Sequence, residues 1–117
     1  MTDRATVDDW LQRYLTAWTT NESSDIAGLF TEDAEYHEVG YDTDWLGRPQ
    51  IVEGWQSRFD WQSGGWTFEW EVVAIVGNTA AITGTGHYAK LGDFSNIWTV
   101  TFEGDRCSVF RMWNGEA

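Results

Sequence analysis

The segment 34–39 carries the side chains of this sequence that are best suited to acid–base chemistry. If the segment is a β-strand, alternation places Tyr36 and Glu38 on one apolar face and turns His37 to the opposite face. A carboxylate that is withdrawn from water beside a phenol is suited to accept or donate a proton in a reaction. The segment therefore predicts an acid or base at Glu38.

Glu38 also has a purely structural interpretation. A glutamate at the end of a strand can reach solvent, or it can form an ion pair with Arg48 or Arg58. His37, on the opposite face of the strand, is expected on the outer surface or at a subunit contact. The facing of His87 stays open, because two nearby glycines make its strand prone to bulges.

Other motifs that could carry chemistry are weak. Asp42, Thr43 and Asp44 have the spacing of cation ligands but lack the further oxygen ligands of a calcium loop, so a solvated loop is expected. The sequence has no glycine-rich phosphate loop, nucleophile elbow or zinc motif, and Cys107 is its single cysteine. We therefore expect no cofactor, no metal site and no disulfide.

The charge balance narrows the possible partners. The chain has 117 residues, of which 19 are acidic and 7 are basic, and its formal net charge is −12. This charge repels phosphate backbones and anionic lipid, so neither nucleic acid nor a membrane is an expected partner. The length fits one domain, residues 1–117. Because no signal-peptide pattern is visible, we expect a cytoplasmic protein.

Aromatic residues are unusually frequent. Nine Trp, six Phe and four Tyr indicate either an aromatic core or a cavity with aromatic walls, and composition does not distinguish the two. The aromatic residues that spacing places on apolar faces are Trp18, Trp55, Trp66, Phe68, Trp70, Trp98 and Trp113.

Three helices are expected around the central segment. Apolar residues recur at helical spacing over residues 7–18, and a short second helix with Ser24 as its N-cap follows. Residues 41–47 are predicted to form a loop. A third helix begins near Pro49, which the first turn tolerates, and its inner face is expected to carry Ile51 or Val52, Trp55 and Phe59.

The second half of the chain predicts an antiparallel meander. Apolar and polar residues alternate from Trp66 to Val72, and Gly77, Gly92 and Gly104 each open a Gly-Asn or Gly-Asp turn. The strands are placed at approximately 66–76, 79–90, 94–102 and 106–113. Helices followed by strands indicate an α+β domain with three helices packed on one face of a curled sheet.

Several short motifs fit this order of elements. They are Gln12-Arg13-Tyr14, Asp25-Ile26-Ala27-Gly28-Leu29-Phe30, Asp33-Ala34, Gly47, Ile51, and an ending with Trp98-Thr99-Val100-Thr101-Phe102, Cys107, Phe110 and Trp113. With them, nearly the whole chain resembles the nuclear transport factor 2-like superfamily, which includes ketosteroid isomerases, SnoaL-like polyketide cyclases, scytalone dehydratases and limonene epoxide hydrolases. The resemblance implies a cone-shaped, cystatin-like α+β barrel around an apolar pocket.

The resemblance also implies roles for particular residues. On the pattern of ketosteroid isomerase, Tyr14 falls at the oxyanion-hole tyrosine, Glu38 at the general base and Trp98 at the second oxyanion donor. A tyrosine on a helix face can equally serve in packing alone. A dehydratase-type site would add a histidine, His37 or His87. The implied pocket wall comprises Trp98, Tyr36, Trp18, Trp55, Phe68, Trp70, Trp113 and His87.

The implied ligand is a small apolar or aromatic molecule. If the protein is an enzyme, the resemblance implies cofactor-free proton transfer of the isomerase, dehydratase or cyclase type. The alternative is a non-catalytic module, with a filled pocket, that forms a homodimer through the outer sheet face. Ile97, Thr99 and Thr101 are the residues expected on that face.

Overall fold

The computed structural model describes residues 2–39 and 43–116. Its helices are α1 (Arg4–Thr20), α2 (Ser23–Ala27) and α3 (Arg48–Ser57), and a short 3-10 helix (Phe59–Gln62) follows α3. Its strands are β1 (Phe30–Val39), β2 (Thr43–Leu46), β3 (Trp66–Val76), β4 (Thr79–Tyr88), β5 (Gly92–Glu103) and β6 (Arg106–Glu116). The predicted α+β class with three helices on a mostly antiparallel sheet is confirmed.

The strands form one sheet in the order β2-β1-β6-β5-β4-β3. Neighbouring strands are antiparallel except β1 and β6, which run parallel. Within the described residues, β2 and β3 are the two edges, so the sheet is curled into a cone without closing into a barrel. In the same part of the chain, no helix is long and apolar enough to cross a membrane.

The helix α1 covers the concave face of this sheet. Its apolar stripe is buried, and Trp10 lies at the centre with no exposed surface. The Trp10 indole N–H donates a hydrogen bond to the Leu29 carbonyl at 3.0 Å, which satisfies its polar group inside the core. The helix begins where the Asp3 side chain accepts a hydrogen bond from the Thr6 amide at 2.9 Å.

The alternation predicted for the central strand is confirmed. Ala34, Tyr36 and Glu38 are buried on the inner face of β1, while His37 is half-buried on the outer face. The predicted loop at 41–47 is wrong for its second half, because Thr43–Leu46 forms β2 and pairs with β1. Tyr41 and Asp42 lie outside the described residues.

The end of α3 also differs from the prediction. The helix ends at Ser57. The helical spacing of four residues that would place Phe59 on the same face as Trp55 therefore does not extend to Phe59. Phe59 is 49% exposed, and Arg58 is buried in its place with 8% exposure. The buried side chain of Arg58 brings a guanidinium group to the inner side of the fold.

The meander is confirmed with small shifts at strand ends. The strand β4 ends at Tyr88 rather than residue 90, because the turn to β5 precedes Gly92 instead of following it. Gly77, Gly92 and Gly104 have φ values of 61°, 89° and 66°, a conformation that glycine adopts without strain.

Gly54 has a packing role that opposes its poor helix propensity. A Cβ atom at this position would lie 2.3 Å from the Trp45 ring. Alanine favours a helix by about 1 kcal/mol over glycine. We nevertheless expect Gly54→Ala to lower the free energy of unfolding by about 1–3 kcal/mol, because Trp45 must be displaced. Urea unfolding measures the change, with exposed Glu53→Ala as control, and an unchanged or higher stability would contradict the packing.

Candidate functional site

The concave face of the sheet, α1 and the 3-10 helix surround a cavity. The volume that is accessible to the centres of water molecules is about 70 Å³. The whole empty volume of the cavity, which includes solvent at its open mouth, is about 610 Å³. A single water needs roughly 10–15 Å³ on the first of these measures, so the cavity can hold several waters or a small organic molecule. The aromatic side chains that line it are Tyr14, Trp18, Tyr36, Trp61, Trp66, Phe68, Tyr88, Phe94 and Trp98.

Regular periodicity brings these side chains together. Tyr14 and Trp18 lie one turn apart on α1, and alternate residues of β5, namely Phe94, Asn96 and Trp98, face inward. The strand β4 contributes buried glycines at its inner positions instead of side chains. A Cβ atom at Gly84 would lie 2.3 Å from Phe68, so the absent side chain lets the Phe68 ring lie across the sheet.

The charged part of the cavity is an ion pair between Glu38 and Arg58. Each residue is 8% exposed, and Arg58 Nη1 donates to Glu38 Oε2 at 2.8 Å. Arg58 Nη2 donates to the Thr43 hydroxyl at 2.7 Å. The guanidinium plane lies between two indoles, 4.5 Å from the centroid of Trp45 and 4.6 Å from that of Trp61. Arginine suits this position because its planar group can stack and donate at the same time.

The second oxygen of Glu38 contacts a phenol. The Tyr36 hydroxyl donates to Glu38 Oε1 at 3.4 Å, a long hydrogen bond. The Tyr36 ring is stacked between Trp45 and Phe110, with centroid distances of 4.9 Å and 4.6 Å. Glu38 therefore combines two of the arrangements considered for it, because it lines the cavity and also pairs with Arg58.

The two inner phenols stay protonated at neutral pH. Burial raises the pKa of Tyr14 above its usual range, and the nearby Tyr88 and Glu38 add to the effect. A hydrogen bond with Tyr36 and the charge of Arg58 offset only part of this rise. Burial likewise raises the pKa of Tyr36. Both groups can therefore donate hydrogen bonds in the cavity without acting as bases.

Trp98 forms part of the wall through its ring. Its centroid lies 4.7 Å from Tyr14 and 5.2 Å from Phe68. The indole N–H of Trp98 is buried, has an accessible surface below 1 Å² and has no hydrogen-bond partner among the described residues, and the same holds for Trp18 and Trp55. A ligand oxygen could reach the Trp98 N–H only if a neighbouring ring moved.

Four of the residues implied for the pocket wall lie elsewhere in the structure. Trp55 is fully buried in the core, and Trp70 is half-buried beside Phe68. Trp113 is 41% exposed on the outer face. His87 is exposed, and its Nδ1 lies 2.9 Å from an Asp93 oxygen. The six implied residues that do line the cavity are Tyr14, Trp18, Tyr36, Glu38, Phe68 and Trp98.

Sequence reasoning missed two polar residues of the cavity. Asn96 and Asn114 lie opposite each other in the pairing of β5 with β6, and both line the cavity. Their alternation with Trp98 and Met112 placed them on the inner face, and an amide at an inner position was the available signal. Arg58 was considered only as an alternative partner of Glu38.

His37 lies on the outer face with an acidic residue on each side. Its Nδ1 is 2.5 Å from Asp44 and its Nε2 is 3.0 Å from Glu35. The hydrogen bond to Asp44 raises the pKa of His37, and that to Glu35 adds to the rise, although partial burial opposes both. Among the described residues, no three His, Cys, Asp or Glu side chains form a group that could hold a metal ion. Asp42 of the Asp-Thr-Asp stretch lies outside them.

Comparisons with known proteins agree with this architecture. Residues 11–116 match the sequence model of the SnoaL-like domain. A proposed ketosteroid isomerase from Kribbella flavida is 18% identical, with a TM-score of 0.75 over 100% of this chain and 83% of that one. A proposed polyketide cyclase from Sinorhizobium meliloti is 17% identical, with a TM-score of 0.73 over 92% and 97%.

A more distant fold neighbour is an epoxide hydrolase from Mycobacterium tuberculosis. It is 14% identical, with a TM-score of 0.66 over 95% of this chain and 84% of that one. No curated protein is similar enough in sequence to count as a relative. At these identities the structural likeness establishes a shared fold and leaves the reaction to be argued from the cavity.

Proposed function

The chain belongs to the SnoaL-like domain family, and on this premise we propose that it binds a small apolar or aromatic molecule in the cavity beneath α1. The observation that carries the proposal is the open, aromatic-walled space itself. Protein interiors are close-packed and leave few voids larger than a water molecule, so a space for several waters supports a role in ligand binding. Concave, mostly apolar pockets with a few polar groups are typical ligand sites.

The cavity walls support an aromatic ligand with one polar group. The rings of Trp61, Trp66 and Phe94 offer faces and edges for stacking. The hydroxyl of Tyr14 can donate a hydrogen bond to a ligand oxygen, and the amide of Asn96 also lines the cavity.

We further propose cofactor-free proton transfer as the chemistry of this cavity. Glu38 is its carboxylate and lies close enough to Tyr14 to affect the ionisation of the phenol. Glu38 would take a proton from a carbon next to a carbonyl, while the Tyr14 hydroxyl stabilises the oxyanion that forms. Return of the proton from Glu38 to another carbon gives isomerisation, and its transfer to a β-hydroxyl group that leaves as water gives dehydration.

Thermal unfolding in the presence of single-ring and two-ring carbonyl and phenolic compounds tests the binding proposal. A ligand at 100 times its dissociation constant adds about 2.7 kcal/mol of stability, so binding raises the melting temperature. Gly86→Val should abolish this rise, because Gly86 lines the cavity and a Cβ atom there would already lie 3.0 Å from Tyr88.

Thr85→Val is the matched control, since Thr85 precedes Gly86 on β4 but faces outward. The control should keep the full ligand-induced rise. An equal rise in both variants would place the ligand outside the cavity and contradict the proposal.

The second candidate is a non-catalytic module that forms a homodimer through the outer sheet face. One surface feature favours it. Val39, Trp113 and Ile97 occupy paired positions on β1, β6 and β5 and are 60%, 41% and 54% exposed. Exposed apolar rows of this kind mark interaction surfaces. The neighbouring Thr99 and Thr101 are half-buried.

Light scattering at several concentrations tests the dimer. The expected mass is twice that of the chain, and Trp113→Lys should return the monomer, because a charge would be buried without a partner. Val76→Lys, at a residue that is 77% exposed at the end of β3, is the control and should remain dimeric. A wild-type protein that stays monomeric throughout would rule out this function.

A further inference from the structure

Asn96 places an amide where the fold would suit an apolar side chain. It lies on β5, between β4 and β6, and shares the inner face of that strand with the buried Trp98 and Val100. Asparagine is depleted in strands, and a buried amide costs free energy unless it is hydrogen-bonded. Since only 9% of Asn96 is exposed, its amide opposes folding unless a partner satisfies it.

The Asn96 amide finds no partner in the part of the chain that the structure describes. Its side chain makes no hydrogen bond with another residue there. The residues directly opposite are Gly84 on β4, which has no side chain, and Asn114 on β6, which carries a second amide. The indole N–H of Trp98 is closed off, whereas Asn96 and Asn114 both line the cavity. The amide of Asn96 is therefore directed at the space proposed for the ligand.

This amide lies one inner position away from the residues of the proposed chemistry. Glu38 on β1 pairs with Met112 on β6, which in turn pairs with Trp98 on β5. Asn96 is two residues from Trp98, which corresponds to about 7 Å along the strand. A single six-membered ring with substituents at both ends spans this distance. One end of such a ligand can contact the amide while the other end lies beside Glu38.

We infer that Asn96 recognises a ligand that carries a hydrogen-bond donor next to an acceptor on one edge of a planar ring system. This inference rests on the proposed ligand binding and specifies the class of ligand. An asparagine amide has a carbonyl acceptor and two N–H donors, so it can form two parallel hydrogen bonds with a primary amide or a lactam. The Cβ atoms of opposite residues in antiparallel strands are about 4.5–5.5 Å apart, so Asn114 can reach the same edge.

Bound water is the other partner that can satisfy a buried amide, so hydration has to be distinguished from recognition. A ligand edge that makes both hydrogen bonds replaces such water without loss. A ligand of the same shape with a methyl group in place of the donor would leave the carbonyl of Asn96 unpaired. Discrimination between these two ligands is therefore the property that recognition requires and hydration does not.

Benzamide and acetophenone are the matched probes. Both are uncharged and nearly equal in shape, and the NH₂ group of the first is a methyl group in the second. Titration of ¹⁵N-labelled protein gives both dissociation constants, and their ratio measures recognition of the donor. Asn96→Leu exchanges the amide for an apolar group of similar shape. We expect it to weaken binding of benzamide, relative to acetophenone, by about tenfold. In wild-type protein, benzamide should also shift the side-chain NH₂ signals of Asn96, which their loss in the variant assigns.

Ser95→Val is the control for this substitution, because Ser95 precedes Asn96 on β5 but is exposed on the outer face. It should keep the wild-type ratio. Ligand-free Asn96→Leu should melt at or above the wild-type temperature, since an amide without a partner does not stabilise the fold. An unchanged ratio in this variant, or a melting temperature well below wild type, would overturn the inference while leaving ligand binding intact. No binding of either probe by the wild-type protein would overturn both the inference and the proposed function.

Discussion

Replacing Arg58 with methionine is expected to lower the free energy of unfolding by about 3–5 kcal/mol, because it leaves the Glu38 carboxylate buried without its partner. Methionine keeps the unbranched apolar stem of arginine but lacks the guanidinium group that lies between Trp45 and Trp61. The loss would therefore come from the unpaired charge and, to a smaller extent, from the two lost ring contacts. Urea unfolding at pH 7, monitored by Trp fluorescence, measures it.

The double variant Glu38→Gln/Arg58→Met separates charge from packing. It should recover most of the stability, since buried ion pairs often add little over well-packed neutral groups. Arg4→Met removes a cation whose side chain is 63% exposed and should change stability by less than about 1 kcal/mol. A single Arg58 variant as stable as wild type would mean that Glu38 does not depend on this partner.

The substitution Glu38→Gln is expected to lower kcat on any substrate that the ligand screen identifies by about 10²–10⁴-fold, the usual contribution of a general acid or base. Glutamine keeps the shape of the side chain and can still accept a hydrogen bond from Arg58. Binding of a neutral ligand should therefore persist while turnover is lost. Steady-state kinetics beside thermal shifts measure the two quantities separately.

Glu35→Gln is the control for this experiment. Glu35 lies on the same strand but on the outer face, where its carboxylate contacts His37. Turnover should be unchanged in this variant. If Glu38→Gln also left turnover unchanged, Glu38 would not be the base, and the protein would remain a binding module.

Much of the fold could be predicted from the sequence because its patterns have a regular period. Because β1 and β3 are each buried on one face, apolar and polar residues alternate along them in the sequence. This alternation was enough to place Glu38 on the inner face without knowledge of the neighbouring strands. The strand β2 was not predicted, because it has only four residues, too few for an alternation of apolar and polar residues to be recognised. It is defined by its pairing with β1. Local sequence does not contain that information.

The site was harder to predict, because it depends on contacts between elements that are distant in the sequence. Helical spacing from Ile51 is compatible with an inward Arg58, but it does not show that the guanidinium group pairs with Glu38 of β1. The resemblance also assigned Trp113 to the wall of the pocket. In the structure, Phe110 and Met112 of β6 are buried and Trp113 is exposed. At that position the alternation of side chains along the strand was the better guide.

The most direct test of the central claim is the location of a bound ring. Titration of ¹⁵N-labelled protein with phenol, with indole signals assigned through single Trp→Phe variants, reports on each tryptophan separately. The account predicts shifts for the cavity residues Trp61 and Trp66, with Trp113 on the outer face unaffected. Shifts confined to Trp113, or no shift at saturating phenol, would contradict it.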